Sequence, residues 1–332
     1  MPSTSPADSP FHILLAGVIA VSLSVFFQEM LILYVIGIIG FLIRKKGILN
    51  EHSIEVLTQL ILSLTLPFLI LYSMDQPYNM EMAKQVFWLI PISVFILILS
   101  SGLALFIRKN LNLPENQHSV FEGLIIFGNQ GFIGFALISS LFPDKGALYV
   151  TLFNFPYLIL IWTYGIYLFV GKKEYVQWRK IFFNPGILST LIGLFIFILP
   201  VHWPAVLSSI FKSVGSTTIP LSMLLIGALI ANMSLNNFSL LKDKVLWMIT
   251  GIKLLIVPLF LFPLLIFSFP FPMLVTAVLV SGMPSAPTIA LYAQKFGGDM
   301  NYAAMGTLLT TLLSVLTIPV LYILLYFFYF TY

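Results

Sequence analysis

Stretches of about 20 apolar residues follow one another along nearly the whole chain, parted by short polar joints, and about 20 residues is what an α-helix needs to cross the hydrocarbon core of a bilayer. Inside hydrocarbon every backbone N–H and C=O has to be satisfied within the protein, which leaves helices and closed barrels as spanning structures. Uninterrupted apolar runs of this length select helices. The chain is also too poor in charge for a water-soluble domain: 8% of its residues are charged and 59% apolar, against about 25% charged in soluble proteins. The expected class is an all-α integral membrane protein.

Turn-forming and charged joints divide the chain: RKKGILNEH, DQPYNMEM, RKNLNLPENQ, PDKG, GKKEYVQWRK, HWP, SLNNFSLLKDK, SFPFP and GGDMN. Ten spans are expected between them, near residues 24–43, 53–74, 85–107, 118–142, 147–170, 183–200, 205–231, 245–267, 273–295 and 301–330. Residues 1–23 are expected to form an N-terminal extension. Its start, MPSTSPADSP, carries no Lys or Arg and so lacks the basic region that opens a signal peptide.

The 16 Lys and Arg residues are unevenly placed. Twelve lie in the odd-numbered joints, two (Lys84 and Lys145) in the even-numbered ones, and Lys212 and Lys253 within spans. Lys and Arg gather on the cytoplasmic side of a membrane, so the odd joints are expected in the cytoplasm and both termini outside, in a cell (cytoplasmic) membrane. The positive charge forms no patch or stripe, which excludes a nucleic-acid partner. The chain has no cysteine, so a disulfide framework and a thiolate metal site are excluded too.

The two halves echo each other. FFQEMLILYVIGIIGFLI (26–43) lines up with FFNPGILSTLIGLFIFIL (182–199). Pro67 in the second span matches Pro220 in the seventh, 153 positions on. Polar breaks recur at Gly128-Asn129-Gln130-Gly131 in the fourth span and Pro284-Ser285-Ala286-Pro287 in the ninth. Five spans per half is an odd number, so the second half sits inverted relative to the first. The expected organisation is residues 24–170 as one five-helix repeat, 171–180 as a cytoplasmic linker, and 181–332 as the inverted repeat. Interrupted spans at matching positions of two such halves point to a transporter's binding site.

A helix broken at mid-bilayer presents free N–H groups and a positive dipole end on one side of the gap, and free carbonyls on the other. Such backbone is tolerated only where it is buried in protein or lines an aqueous cavity. Pro287 suits the first position of a new half-helix, where its missing donor costs nothing. Ser285 and Thr288 bring hydroxyls beside it, and Ala286 lies between. In the fourth span Asn129 and Gln130 bring amides, while Gly128 and Gly131 allow irregular backbone. The expected substrate-binding residues are therefore Asn129, Gln130, Gly131, Ser285, Ala286, Pro287 and Thr288, with Pro67, Gly128, Pro220 and Pro284 as breaks or hinges.

Lys253 lies near the middle of the eighth span, where a charge costs about 3 kcal/mol or more unless it faces a partner or cavity. It is expected either to fix a substrate carboxylate or to snorkel to the interface. Glu122 reads as an interfacial group or a proton carrier. Asn154 reads as a polar contact to the breaks or as an ordinary interhelical hydrogen bond. No catalytic residue and no metal site is expected: there is no HExxH and no pair of aspartates within the spans.

Over residues 24–330 the chain resembles the auxin efflux carrier family of secondary transporters. The likeness is carried by IGIIGFLIRKKGIL (36–49), LILSLTLPFLI (60–70), FGNQGFIGFALISSLF (127–142), PLSMLLIGALI (220–230), IKLLIVPL (252–259), SGMPSAPTIALYAQKFGGD (281–299) and TLLSVLTIPVLYIL (311–324). The resemblance implies ten helices in two inverted five-helix repeats, crossing broken helices four and nine, and access exchanged by rocking or elevator motion. It implies an organic anion as substrate, a dicarboxylate such as malate or malonate in bacterial members and auxin in plant ones. Lys253 is similar to a basic position of that family. In the plant members the crossover carries an Asn-Pro-Asn type pattern, whereas here the fourth span has Asn129-Gln130-Gly131 without proline and the ninth has proline without asparagine. That departure argues against auxin and leaves the coupling ion open between a proton and sodium.

The leading expectation is a secondary carrier of a small organic anion working by alternating access, with no cofactor. Its partners are that anion and membrane lipid, and a homodimer is compatible with the reading. The alternatives are a sodium-coupled symporter of the bile-acid type and an integral-membrane enzyme, the second disfavoured by the missing catalytic constellations.

Overall fold

The computed structural model describes residues 10–75, 80–170, 183–199, 201–232, 240–267 and 269–331. Helices make up most of these residues, and one isolated antiparallel bridge is their extended pairing. The helices are α1 (Pro10–Lys45), α2 (Glu51–Leu60), α3 (Leu66–Met74), α4 (Met80–Phe87), α5 (Leu89–Lys109), α6 (Glu115–Ile126), α7 (Phe135–Leu141), α8 (Gly146–Trp162) and α9 (Tyr164–Val170). The second half continues with α10 (Pro185–Ile198), α11 (Ala205–Gly215), α12 (Thr218–Asn232), α13 (Lys244–Gly251), α14 (Val257–Leu259), α15 (Phe271–Ser281), α16 (Thr288–Phe296) and α17 (Met300–Thr331). Among the described residues seven helical runs are long and apolar enough to cross a membrane, accompanied by shorter apolar helices at Gln130–Leu141, Pro185–Ile198 and Phe271–Ser281. The chain is a multi-pass α-helical membrane protein.

Local chemistry sets the ends. Asn50 caps α2 by accepting from Ser53 N at 2.8 Å, Asn184 caps α10 with Pro185 in its first turn, and Asp243 caps α13 by accepting from Val245 N at 2.7 Å. Wide π-helical turns occupy Ile61–Thr65 and Ile252–Ile256, immediately before Pro67 and Pro258. Proline lacks the N–H for its i−4 carbonyl and its ring collides with that carbonyl. The wider turn relieves the collision without ending the span.

The start of the chain differs from expectation. The span expected near 24–43 is present at Phe27–Lys45, but it continues a helix begun within the expected extension: α1 runs unbroken for 36 residues from Pro10, about 54 Å at 1.5 Å per residue. No proline or charged residue lies between Phe11 and Gln28 to stop it. The linker expected at 171–180 falls outside the described residues.

The helices α1 and α12 pack along their lengths. They approach so closely that a Cβ on Gly40 or Gly227 would strike the facing backbone, at Leu224 O and Gly37 O respectively. Small residues at such crossings are how membrane helices gain contact where no hydrophobic driving force separates protein from lipid. α3 packs on α10 and α11, α5 on α8, α13 on α17, α7 on α8, and α16 on α17. Large apolar side chains such as Leu31, Ile98, Phe106 and Phe195 point outward, 63–69% exposed, as a lipid-facing surface requires. Among the described residues Glu122 and Lys253 are the buried charged side chains, 3% and 1% exposed.

Candidate functional site

The first break follows α6. After Ile126 the chain is extended through Phe127–Asn129, then resumes as a π-helical turn, Gln130–Gly134, leading into α7. The second follows α15: Gly282–Pro287 is non-helical, and α16 starts at Thr288 with Pro287 in the capping position. The two gaps lie side by side. Gly128 and Ser285 form the antiparallel bridge, Asn129 N donates to Pro284 O at 2.6 Å, and Ala286 N donates to Phe127 O at 2.9 Å. Two spans that sequence offsets alone put in register are thus joined by backbone hydrogen bonds, with Asn129, Gln130, Ser285 and Ala286 all buried.

The two sides of the junction are satisfied to different degrees. The carbonyls released at the end of α6 are largely occupied: Leu124 O accepts from Ser285 Oγ at 2.7 Å, Phe127 O from Ala286 N, and Gly128 O from Tyr157 Oη at 2.8 Å. In the second break Ser285 N donates to Thr310 Oγ1 at 3.1 Å, and Thr310 in turn donates to the α17 backbone. Where the helix resumes after the first break, the N–H groups of Gln130, Gly131, Phe132 and Ile133 make no hydrogen bond within the described residues. These are the four donors that any helix start leaves over. Gly131 among them faces open space, since a Cβ built on it would meet no atom within 4 Å.

Polar side chains converge there. Asn154 Nδ2 donates to Gln130 O at 3.3 Å, while Asn154 Oδ1 and Gln130 Oε1 are buried without partners. Lys253 arrives from the Ile252–Ile256 turn. Its Nζ lies 3.5 Å from Ile126 O, and a Cβ on Gly128 would sit 3.2 Å from it. The lysine does not reach an interface; the absence of a side chain on Gly128 leaves room for its amine against the first break. Pro287 and Thr288 are half-buried, and the Thr288 hydroxyl and N–H have no partner among the described residues.

Glu122 stands apart from the gap, one turn earlier on α6. It is ion-paired with Arg108, and Tyr164 Oη donates to its Oε2 at 3.5 Å. Pro67 and Pro220 each sit just inside a resumed helix, α3 and α12, after the π-helical turn and after a turn at Ser216-Thr217 respectively. Pro284 supplies the carbonyl that Asn129 N meets. Sequence reasoning passed over Thr65, Thr218 and Ser222. Their hydroxyls are buried without partners on α12 and on the π-helical turn it packs against, and α12 also packs on Gln130–Gly134. The signal was present as a Thr two residues before the matched prolines, in TLP and TIP.

Free amides and one buried ammonium in a water-poor interior suit negative charge. A bundle of membrane-spanning helices with interrupted spans joined in its interior defines a polytopic membrane transporter. The chain belongs to the family described as membrane transport protein, the auxin efflux carrier family, which it matches over residues 25–177 and 172–322. It is 22% identical over 307 residues to an uncharacterized transporter of Methanothermobacter thermautotrophicus, covering 88% of this chain and 96% of that protein. It is 25% identical over 302 residues to an uncharacterized transporter of Methanocaldococcus jannaschii, covering 87% and 95%. It is a transporter rather than an enzyme.

Proposed function

We propose that this protein is a secondary active transporter of a small organic anion, of the dicarboxylate or a related carboxylate class, working by alternating access in the cytoplasmic membrane. The observation that carries this reading is the group of free N–H donors at Gln130–Ile133, open at Gly131, with Lys253 buried beside the same break. A carboxylate entering there meets donors and a positive charge without competition from water, the setting in which such interactions are strongest. Asn129, Gln130 and Asn154 supply orienting amides, and Pro287 and Thr288 border the gap from the other span. Ser285 and Ala286 brace it through Leu124, Phe127 and Thr310.

The way the halves pack supports alternating access. α1 on α12 corresponds to α10 on α3, α5 on α8 to α13 on α17, and α7 on α8 to α16 on α17. Each pair is related by exchanging a span with its counterpart five positions on, as two inverted five-helix repeats of a ten-span protein require. The Lys and Arg bias supports odd joints in the cytoplasm and both termini outside.

Reconstitution tests the reading. Asn129→Ala and Pro287→Ala are expected to lower uptake of malate or malonate into proteoliposomes while the protein still inserts and expresses. Wild-type uptake by both variants would remove the crossing from the transport pathway.

A further inference from the structure

We infer that Glu122 is a proton-binding site coupled to the anion site, so that protonation of Glu122 and binding of the anion favour each other. The inference rests on the anion reading above and deepens it by naming the coupling ion and the group that takes it.

Glu122 and Lys253 are the buried charged side chains among the described residues, and both attach to α6. Glu122 belongs to that helix, and Lys253 Nζ faces Ile126 O, four residues and about 6 Å of helix rise further along. A carboxyl group at this depth needs a proton or a cationic partner, and Glu122 has access to both. Arg108, in the last turn of α5, pairs with Oε1, and Tyr164 of α9 donates to Oε2. His118, one turn earlier on α6, has Nε2 3.0 Å from Leu113 O and Nδ1 3.5 Å from Arg108 Nη1. That arrangement fits a neutral ring donating through Nε2 and accepting through Nδ1. Arg108 therefore bridges a histidine and a carboxylate, and can be shared between them when the carboxylate takes a proton.

An open depression beside α6 brings solvent close to Glu122. A cavity of about 490 Å³ is lined by Glu115, Asn116 and Ser119 of α6 with Phe169 and Phe296. Ser119 and Glu122, three residues apart, share a helix face, so the cavity ends one turn from the carboxyl group. The other elements packed on α6 bring Tyr292 and Lys295 (α16), Asp299 and Tyr302 at the start of α17, Asp243 and Lys244 at the start of α13, and Lys253. None of these is ion-paired with Glu122.

Lys253 Nζ meets the break at Ile126 O, about 6 Å of helix rise from Glu122, so an anion held by that ammonium and an ionised Glu122 are like charges with little water between. Each disfavours the other, and a proton on Glu122 removes the conflict. By linkage the proton then raises anion affinity by the factor by which the anion raises proton affinity, about 5–150-fold in typical coupled sites. Transport of the two together follows, with the proton gradient driving accumulation.

The test measures binding of malonate, malate, lactate and citrate to purified protein between pH 6.5 and 8.5, with and without sodium, for wild type, Glu122→Gln, Arg108→Gln and His118→Gln. Wild-type affinity should rise about tenfold or more as pH falls. Glu122→Gln should bind with the low-pH affinity throughout, and so should Arg108→Gln, whose carboxyl group has lost the partner that keeps it ionised. His118→Gln should keep the wild-type pH response. The same pH response in Glu122→Gln as in wild type, a response lost only in His118→Gln, or an affinity set by sodium and indifferent to pH overturns the coupling while leaving the anion site standing. Should no acid bind wild type at any pH, the anion reading fails and the coupling falls with it.

Discussion

At the first break Gln130, Gly131, Phe132 and Ile133 keep their N–H groups free beside Lys253; at the second, Ser285 N is taken by Thr310 and Ala286 N by Phe127. Both gaps interrupt a membrane span with small and polar residues, yet one leaves four successive donors free and the other, Thr288 apart, has its donors taken by its neighbours. The open one has two glycines and no proline. The closed one has two prolines, whose fixed φ narrows the backbone, and a serine that donates across to Leu124. The difference teaches that a pair of matched breaks need not share a task equally: one presents donors, and the other holds it in shape.

This division can be broken experimentally. The largest effect is expected for Lys253→Gln, which removes the buried ammonium at the open gap and should weaken carboxylate binding by about 100-fold, taking roughly 3 kcal/mol for a desolvated charge interaction. Lys253→Arg should lose less, and equal losses for the two would show that the charge is not what the anion meets. Next comes Gly131→Leu, which fills the space beside the free amides and should cut uptake about tenfold or more by displacing the anion, a loss of about 1.4 kcal/mol in binding. Gly131→Ala should stay close to wild type, because its methyl group meets no atom within 4 Å. Equal uptake by the leucine and alanine variants would move the substrate elsewhere.

At the closed gap the expected damage is to stability. Thr310→Val strands Ser285 N without its acceptor and should lower stability by about 1–3 kcal/mol, read as a fall in thermal midpoint, with anion affinity within about twofold of wild type. Smallest is Ser285→Ala, which removes one hydrogen bond to Leu124 O at a cost of about 1 kcal/mol. A large affinity loss with unchanged stability in either variant would erase the distinction between the two gaps.

Much of this was legible in the chain. Apolar run length located the seven long spans to within a few residues, since bilayer thickness leaves a helix little choice, and the loss of helicity at Phe127–Asn129 and Gly282–Pro287 followed from glycine and proline. The start of α1 was not legible, because an apolar run does not say where a helix begins when nothing in it forbids helix. Thr65, Thr218 and Ser222 were passed over because a hydroxyl in a membrane span ordinarily bonds its own helix, as Thr151 Oγ1 does to Ala147 O. Only a tertiary neighbourhood reveals that one has been left without a partner. For Lys253 the sequence offered a snorkelling lysine and a buried one with equal right, and the free space at Gly128, 125 positions away in the chain, settled its place.

By itself the sequence determined that this protein lives in a membrane as helices and where two of them give way, because hydrophobic length and backbone stereochemistry are local properties. Which released donors stay free and which are taken was decided by the fold alone. Hydrogen-bond satisfaction depends on groups from distant segments: Pro284 meeting Asn129, Thr310 meeting Ser285, and Lys253 lodged against the end of α6.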